Sequence, residues 1–172
     1  MITKVLTRCA AATLIAGISA NGIAAEPGEK SGPKAPSIEG TYKLVSRKLA
    51  DGKVLGGPEI VGLFTYTRTH RNFNLAWKDS AGRKFSHSTV STYALTPTEY
   101  TETVLVSVIN DETEGKGTTS TMNGSPQTVP VQTTGGRIEF KMPFDPVTLV
   151  FDGDVLTCTN EGVFVDRWEK LK

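Results

Sequence analysis

The stretch RIEFKMP, residues 137–143, alternates without a break: Ile138, Phe140 and Met142 fall on one side, Arg137, Glu139 and Lys141 on the other. Successive side chains of a strand point to opposite faces, so apolar-in, charged-out alternation marks a half-buried strand. The same period extends outward from it. In NFNLAWK (72–78) Phe73, Leu75 and Trp77 share a face opposite Asn74 and Lys78. Tyr42 and Leu44 share a face, with Thr41, Lys43 and Arg47 assigned to the other. No segment after Gly40 sustains a helical period.

Turn signals recur between these runs, at DSAG (79–82), TPTE (96–99), GG (135–136) and DGD (152–154). Short strands at that spacing, rich in Thr, Val and aromatics, predict an all-β domain of about eight to ten strands. TVPVQTT (128–134) reads as one of them, and NDETEGKGTTSTMNGSP (110–126) as the one long loop. Tight hairpins make consecutive strands neighbours, and a long meander loses its edges by closing on itself. The expected architecture is therefore an up-and-down antiparallel β-barrel, whose interior can hold side chains or one small ligand.

The first residues read differently. Lys4 and Arg8 precede the apolar run CAAATLIAGISA, and small residues follow at Gly22 and Ala24 or Ala25. That order predicts a signal peptide over 1–25, with the protein secreted or periplasmic. The apolar run is shorter than the ~20 residues a membrane span needs. Cys9 precedes the run instead of following it, which argues against lipid attachment there. EPGEKSGPKAPS (26–37) has three prolines and two glycines and reads as a flexible leader, with the domain over 38–172. Cys158 is then the only cysteine of the mature chain, and its alternation with Leu156 predicts a buried thiol.

Lys+Arg 19 against Asp+Glu 18 gives a net charge of +1, with the signs interspersed. That balance disfavours nucleic acid and an anionic membrane surface as partners. With two histidines and one mature cysteine there is no ligand-spaced metal cluster. No phosphate-binding, dinucleotide or nucleophile-elbow motif is present, so no cofactor is expected.

Some polar residues stay ambiguous. RKFSHSTVSTY places Phe85, His87, Thr89, Ser91 and Tyr93 on one face. Either that face is internal, and His87 with the hydroxyls recognises a ligand or moves a proton, or Val90 marks the inner face and they are solvated. Tyr100, Glu102, Val104, Val106 and Val108 share a face of the next run, with Glu102 read as a surface charge. His70 and Arg71 sit in RTHRN, read as a solvated turn.

The two ends of the domain carry a resemblance. GTYKLVSRKLADG (40–52) resembles the first strand of the calycin superfamily, where a Gly-x-Trp stretch leads into the barrel; here Gly40-Thr41-Tyr42 holds that place. FVDRWEKL (164–171) is similar to the closing strand of the fatty-acid-binding branch, and VGLFTYT (61–67) to the second strand of small secreted or bacterial lipocalin-like domains. The resemblance implies a lipocalin-like barrel with a cavity. It also contains a departure. Where the fatty-acid-binding branch has an inward arginine for the ligand carboxylate, this chain has Asp166, which argues against that contact. The lipocalin branch implies instead that Arg167 packs over Tyr42.

The function expected from these readings is binding of a small, largely apolar molecule inside the barrel. Phe73, Leu75, Trp77, Phe140, Phe164 and Trp168 would form the wall, with His87, Tyr93 and Asp166 as polar contacts. One alternative is a protein partner held by the mouth and the 110–126 loop. Another is a cavity enzyme of isomerase or hydrolase type, using His87 and a carboxylate. The protein is expected to be a monomer.

Overall fold

The computed structural model describes residues 36–172; the signal peptide, Cys9 and nearly all of the leader lie outside the described residues. The chain begins with β1 (Gly40–Leu49), β2 (Val54–Leu55), β3 (Ile60–Tyr66) and β4 (His70–Lys78). It continues through β5 (Lys84–Leu95), β6 (Glu99–Asp111), β7 (Gly117–Met122), β8 (Gln127–Pro130) and β9 (Gln132–Thr134). It ends with β10 (Arg137–Lys141), β11 (Val147–Asp152), β12 (Val155–Asn160) and β13 (Phe164–Lys170). All pairings are antiparallel, and the described residues contain no helix. The all-β antiparallel expectation is met, in a single strongly curled sheet.

The sheet runs β7-β6-β5-β4-β3-β1-β13-β12-β11-β10-β9, with β2 beside β1 and β8 beside β6. First and last strands are therefore neighbours in its middle. The turns are tight where the residues allow it. Thr134 pairs with Arg137 across Gly135 and Gly136, both at positive φ (60° and 88°). A two-residue hairpin turn with both central residues left-handed favours glycine twice.

Three expectations about the strands are corrected. The 110–126 segment is not a long loop, because β7 lies inside it and pairs with β6. TVPVQTT is not one strand: it divides at Val131, so that β8 joins β6 while β9 joins β10. Thirteen strands replace the expected eight to ten, the additions being such short pieces. The divided segment matters for shape. It carries the chain from one margin of the sheet to the other, with Val131 donating its N–H to the Thr98 carbonyl at 2.8 Å.

That crossing draws the two faces together at one end, the base. There Tyr66, Tyr93, Tyr100, Phe140 and Phe151 close a ring of aromatic contacts. Its tightest member, Tyr100 on Phe140 at 4.3 Å between centroids, spans the crossing. Such pairs favour offset or edge-on geometry and add to the area they bury. The Tyr93 hydroxyl donates to the Thr67 carbonyl at 2.5 Å and Tyr42 to that of Ile38 at 3.3 Å, so both long rings keep a polar partner.

Candidate functional site

At the opposite end of the sheet the faces stay apart. A cavity of about 460 Å³ opens there, walled by Phe64, Phe73, Leu75, Trp77, Leu149 and Trp168. Its rim carries Leu49, Phe85, Val147 and Phe164, from the ends of strands that start or finish at this mouth, and Val163 from the turn before β13. A broader groove of about 1010 Å³ lies on the outer face, bordered by Lys43, Val45, Val61, Leu63 and Asn74. The two buried ion pairs, Arg47 with Asp166 and Arg71 with Glu102, do not reach that groove.

Seven of the residues expected at the site do line the cavity: Phe73, Leu75, Trp77, His87, Phe164, Asp166 and Trp168. Tyr93 and Phe140 do not. Both are packed in the aromatic base, where rings long enough to meet across the curl leave no room between them. Gly62 makes room for the Trp168 ring: a Cβ at Gly62 would stand 2.6 Å from Trp168 Cη2.

Two buried ion pairs form the polar part of the interior. Arg47 grips Asp166 through Nε and Nη2, at 2.6 and 2.7 Å, a two-pronged geometry characteristic of an ionised pair. Its guanidinium also lies 4.0 Å from the Phe164 ring centroid. Arg71 donates to Glu102 at 2.5 Å, and the second oxygen of Glu102 accepts the Tyr100 hydroxyl at 2.9 Å. Burial raises the Asp166 carboxyl above its ordinary range, with Arg47 opposing the shift. Burial would pull Arg71 down, but the Glu102 carboxylate beside it leaves it firmly charged. The Tyr100 hydroxyl is pushed far up by burial, reinforced by Tyr66 and Glu102. Cys158 is buried as expected and lines the cavity, its thiol raised by burial and then by Asp166.

Sequence reasoning missed both arginines, for different reasons. Strict alternation from Tyr42 points Arg47 outward. The register of β1 on β13 shifts between Leu44 and Ser46, leaving Val45 as an extra residue. A bulge of this kind reverses the faces beyond it, and Arg47 turns inward opposite Asp166. Arg71 was placed in a solvated turn, but β4 begins at His70, and Arg71 is 4% exposed while His70 is exposed. Glu102 is likewise no surface charge; it is fully buried. One signal did exist: an inward Asp166 requires a cationic or donor partner.

A second bulge acts on β6. Its register on β5 shifts between Val90 and Ser91, where Leu105 is the unpaired residue of β6. Ser107 and Ile109 consequently turn inward in place of Val106 and Val108. The internal alternative for the β5 face holds: His87, Thr89, Ser91 and Tyr93 share it, and Thr89, Ser91 and Tyr93 are buried. His87 Nε2 lies 2.8 Å from the Thr89 hydroxyl and 3.1 Å from that of Ser107, and the two hydroxyls are 3.1 Å apart. These three border a side chamber of about 250 Å³, which shares Arg71, His87, Met142 and Asp145 with the main cavity. Burial pushes the His87 imidazole below its ordinary range, with Asp145 opposing.

His87 hydrogen-bonds to neither Glu102 nor Asp166; those carboxylates are held by the arginines. The expected Arg167–Tyr42 contact is absent as well. Arg167 points outward to Glu169, and Lys170 stands over Tyr42, 5.8 Å from its centroid. Compared with family models, curated proteins and solved structures, the chain finds no match.

Proposed function

We propose that this protein is a calycin-type, lipocalin-like binder that holds a small, largely apolar molecule in its mouth-side cavity. The observation that carries this reading is the asymmetry of the interior. One end is filled by its own rings, and the other keeps a cavity walled by Phe73, Leu75, Trp77 and Trp168. Concave, mostly apolar pockets with a few convergent polar groups are the usual form of small-molecule sites. The pairing of first and last strands and the Gly40-Thr41-Tyr42 entry to β1 support the calycin assignment. Export is part of the proposal and rests on the order of basic, apolar and small residues before Glu26.

Native mass spectrometry of the gently purified protein, set against the denatured chain, tests the binding. The expected result is a reproducible added mass that is lost on denaturation and in a Trp77→Ala variant. A chain that is clean in both states, and takes up no apolar dye, refutes the reading. N-terminal sequencing of the exported protein is expected to start close to Glu26.

A further inference from the structure

Each interior arginine is already committed to a carboxylate, and that decides what else the cavity can take. Asp166 uses both oxygens on Arg47, and Glu102 uses one on Arg71 and one on Tyr100. Asp145, half-buried between β10 and β11, borders both chambers. Two guanidiniums thus face three carboxylates, and the His87 imidazole, held neutral by burial, adds no charge. A carboxylate entering this interior would be a fourth, and like charges at close quarters force one to take up a proton.

What remains unspent is donor capacity. Arg71 Nε is buried and has no partner, on a residue that borders both chambers. A guanidinium offers five N–H groups and no acceptor. Its register neighbours are Tyr66 on β3 and Ser91 on β5, and their hydroxyls are also buried without partners. Three unpartnered hydroxyl or N–H groups therefore stand in one row across β3, β4 and β5. Buried polar groups in folded proteins are nearly always paired. Of the three, Arg71 alone lines the chambers and is the one an oxygen in the cavity can serve, while Tyr66 and Ser91 border neither chamber. His87 Nε2 and the Thr89 and Ser107 hydroxyls, by contrast, have partners in one another.

We infer, building on the binding reading above, that the guest is a neutral amphiphile of the ketone or ester class. Its apolar body lies among Phe73, Leu75, Trp77 and Trp168, and its carbonyl oxygen accepts from Arg71 where the two chambers meet. Neither a free carboxylate nor an amine answers Arg71 as a carbonyl does. The first adds negative charge to a negative interior. The second brings N–H donors that Arg71, itself only a donor, cannot accept; its partner here would be Asp145, with Arg71 Nε left unserved.

Trp77 and Trp168 both line the cavity and are the chain's two tryptophans, so intrinsic fluorescence reports occupancy. The test titrates the mature protein with decan-2-one, decanoate, decylammonium and decane. The ketone is expected to bind about tenfold tighter than decanoate and decane, and tighter than decylammonium where Arg71 and not Asp145 selects the guest. An Arg71→Met/Glu102→Gln double variant removes both charges together and strands no buried ion. It is expected to keep its affinity for decane and lose its preference for the ketone. Decanoate or decylammonium binding as tightly as the ketone overturns the inference and leaves the binding reading intact, as does a ketone preference that survives in the double variant. If none of the four probes binds, the binding reading fails and the inference with it. The order of the probes on the unaltered protein stands as a test whether or not the variant folds.

Discussion

At the base five aromatic rings close on one another, while at the mouth Phe73, Trp77, Phe85 and Trp168 stand around a cavity of about 460 Å³. Both ends are lined by aromatic rings, Tyr and Phe from β3, β5, β6, β10 and β11 at the base, Phe and Trp from β4, β5 and β13 at the mouth. The difference is made by what continues β6 on either side of its bulge. At the base the crossing segment brings β6 to β10, and Tyr100 meets Phe140. Toward the mouth β6 pairs with β7 instead, and Met142–Pro146 runs on as a connection beside the side chamber. Connectivity here, more than composition, separates a filled interior from a hollow one.

Disturbing the boundary between the two ends should have the largest effect. Glu102→Ala strands the Arg71 guanidinium in the interior, a change expected to cost about 3–5 kcal/mol in urea denaturation. Replacing the pair together, as Arg71→Met/Glu102→Gln, should recover most of that loss. Next come matched deletions at the two ends. Phe140→Ala opens a cavity in the packed base and is expected to cost about 3–5 kcal/mol. Phe73→Ala, at a half-buried ring facing space that already exists, should cost about 1–2 kcal/mol by the same assay, the transfer part alone. Equal losses at the two positions would erase the distinction between base and mouth.

Two smaller effects sharpen it. Gly62→Ala pushes a methyl against Trp168 and should cost about 1–3 kcal/mol, with a shift in tryptophan emission as the ring is displaced into the cavity. His87 gives the smallest signal. Its imidazole sits below the ordinary value of 6.5 because of burial, so the unfolded chain takes up the proton first. Its contribution to stability is complete above pH 6.5 and is lost as the pH falls from there through the lowered value. His87→Gln should flatten the stability–pH curve in that window and leave the rest unchanged.

The faces that were legible in the sequence lie where alternation runs unbroken. Phe73, Leu75 and Trp77 on β4, and Ile138 and Phe140 on β10, obey the period from end to end. The two bulges set the limit. Val45 and Leu105 are ordinary residues in ordinary strands, and nothing local marks them as extra. Their effect, turning Arg47, Ser107 and Ile109 inward, is decided by the strands beside them. Arg71 was hidden by its place at a strand end, two residues from a turn. The filling of the base was hidden too, since Tyr100 and Phe140 lie far apart in the chain and meet only through the crossing at 127–134.

The neighbouring of β1 and β13 has a consequence in time as well as in space. The middle of the sheet is assembled from the first and last strands the chain supplies, Gly40–Leu49 against Phe164–Lys170. A growing chain can pair β1 through β8, and later β9 through β12, with the crossing segment joining these halves at the base, but the middle of the sheet stays open until β13 arrives. Contacts of such high sequence separation place the domain among slow folders, with the loop-closure entropy paid before the reward. Residue 164 and beyond thus act as the clasp. Until they emerge, β1 and β12 each present an open edge, and the chain stays unlocked.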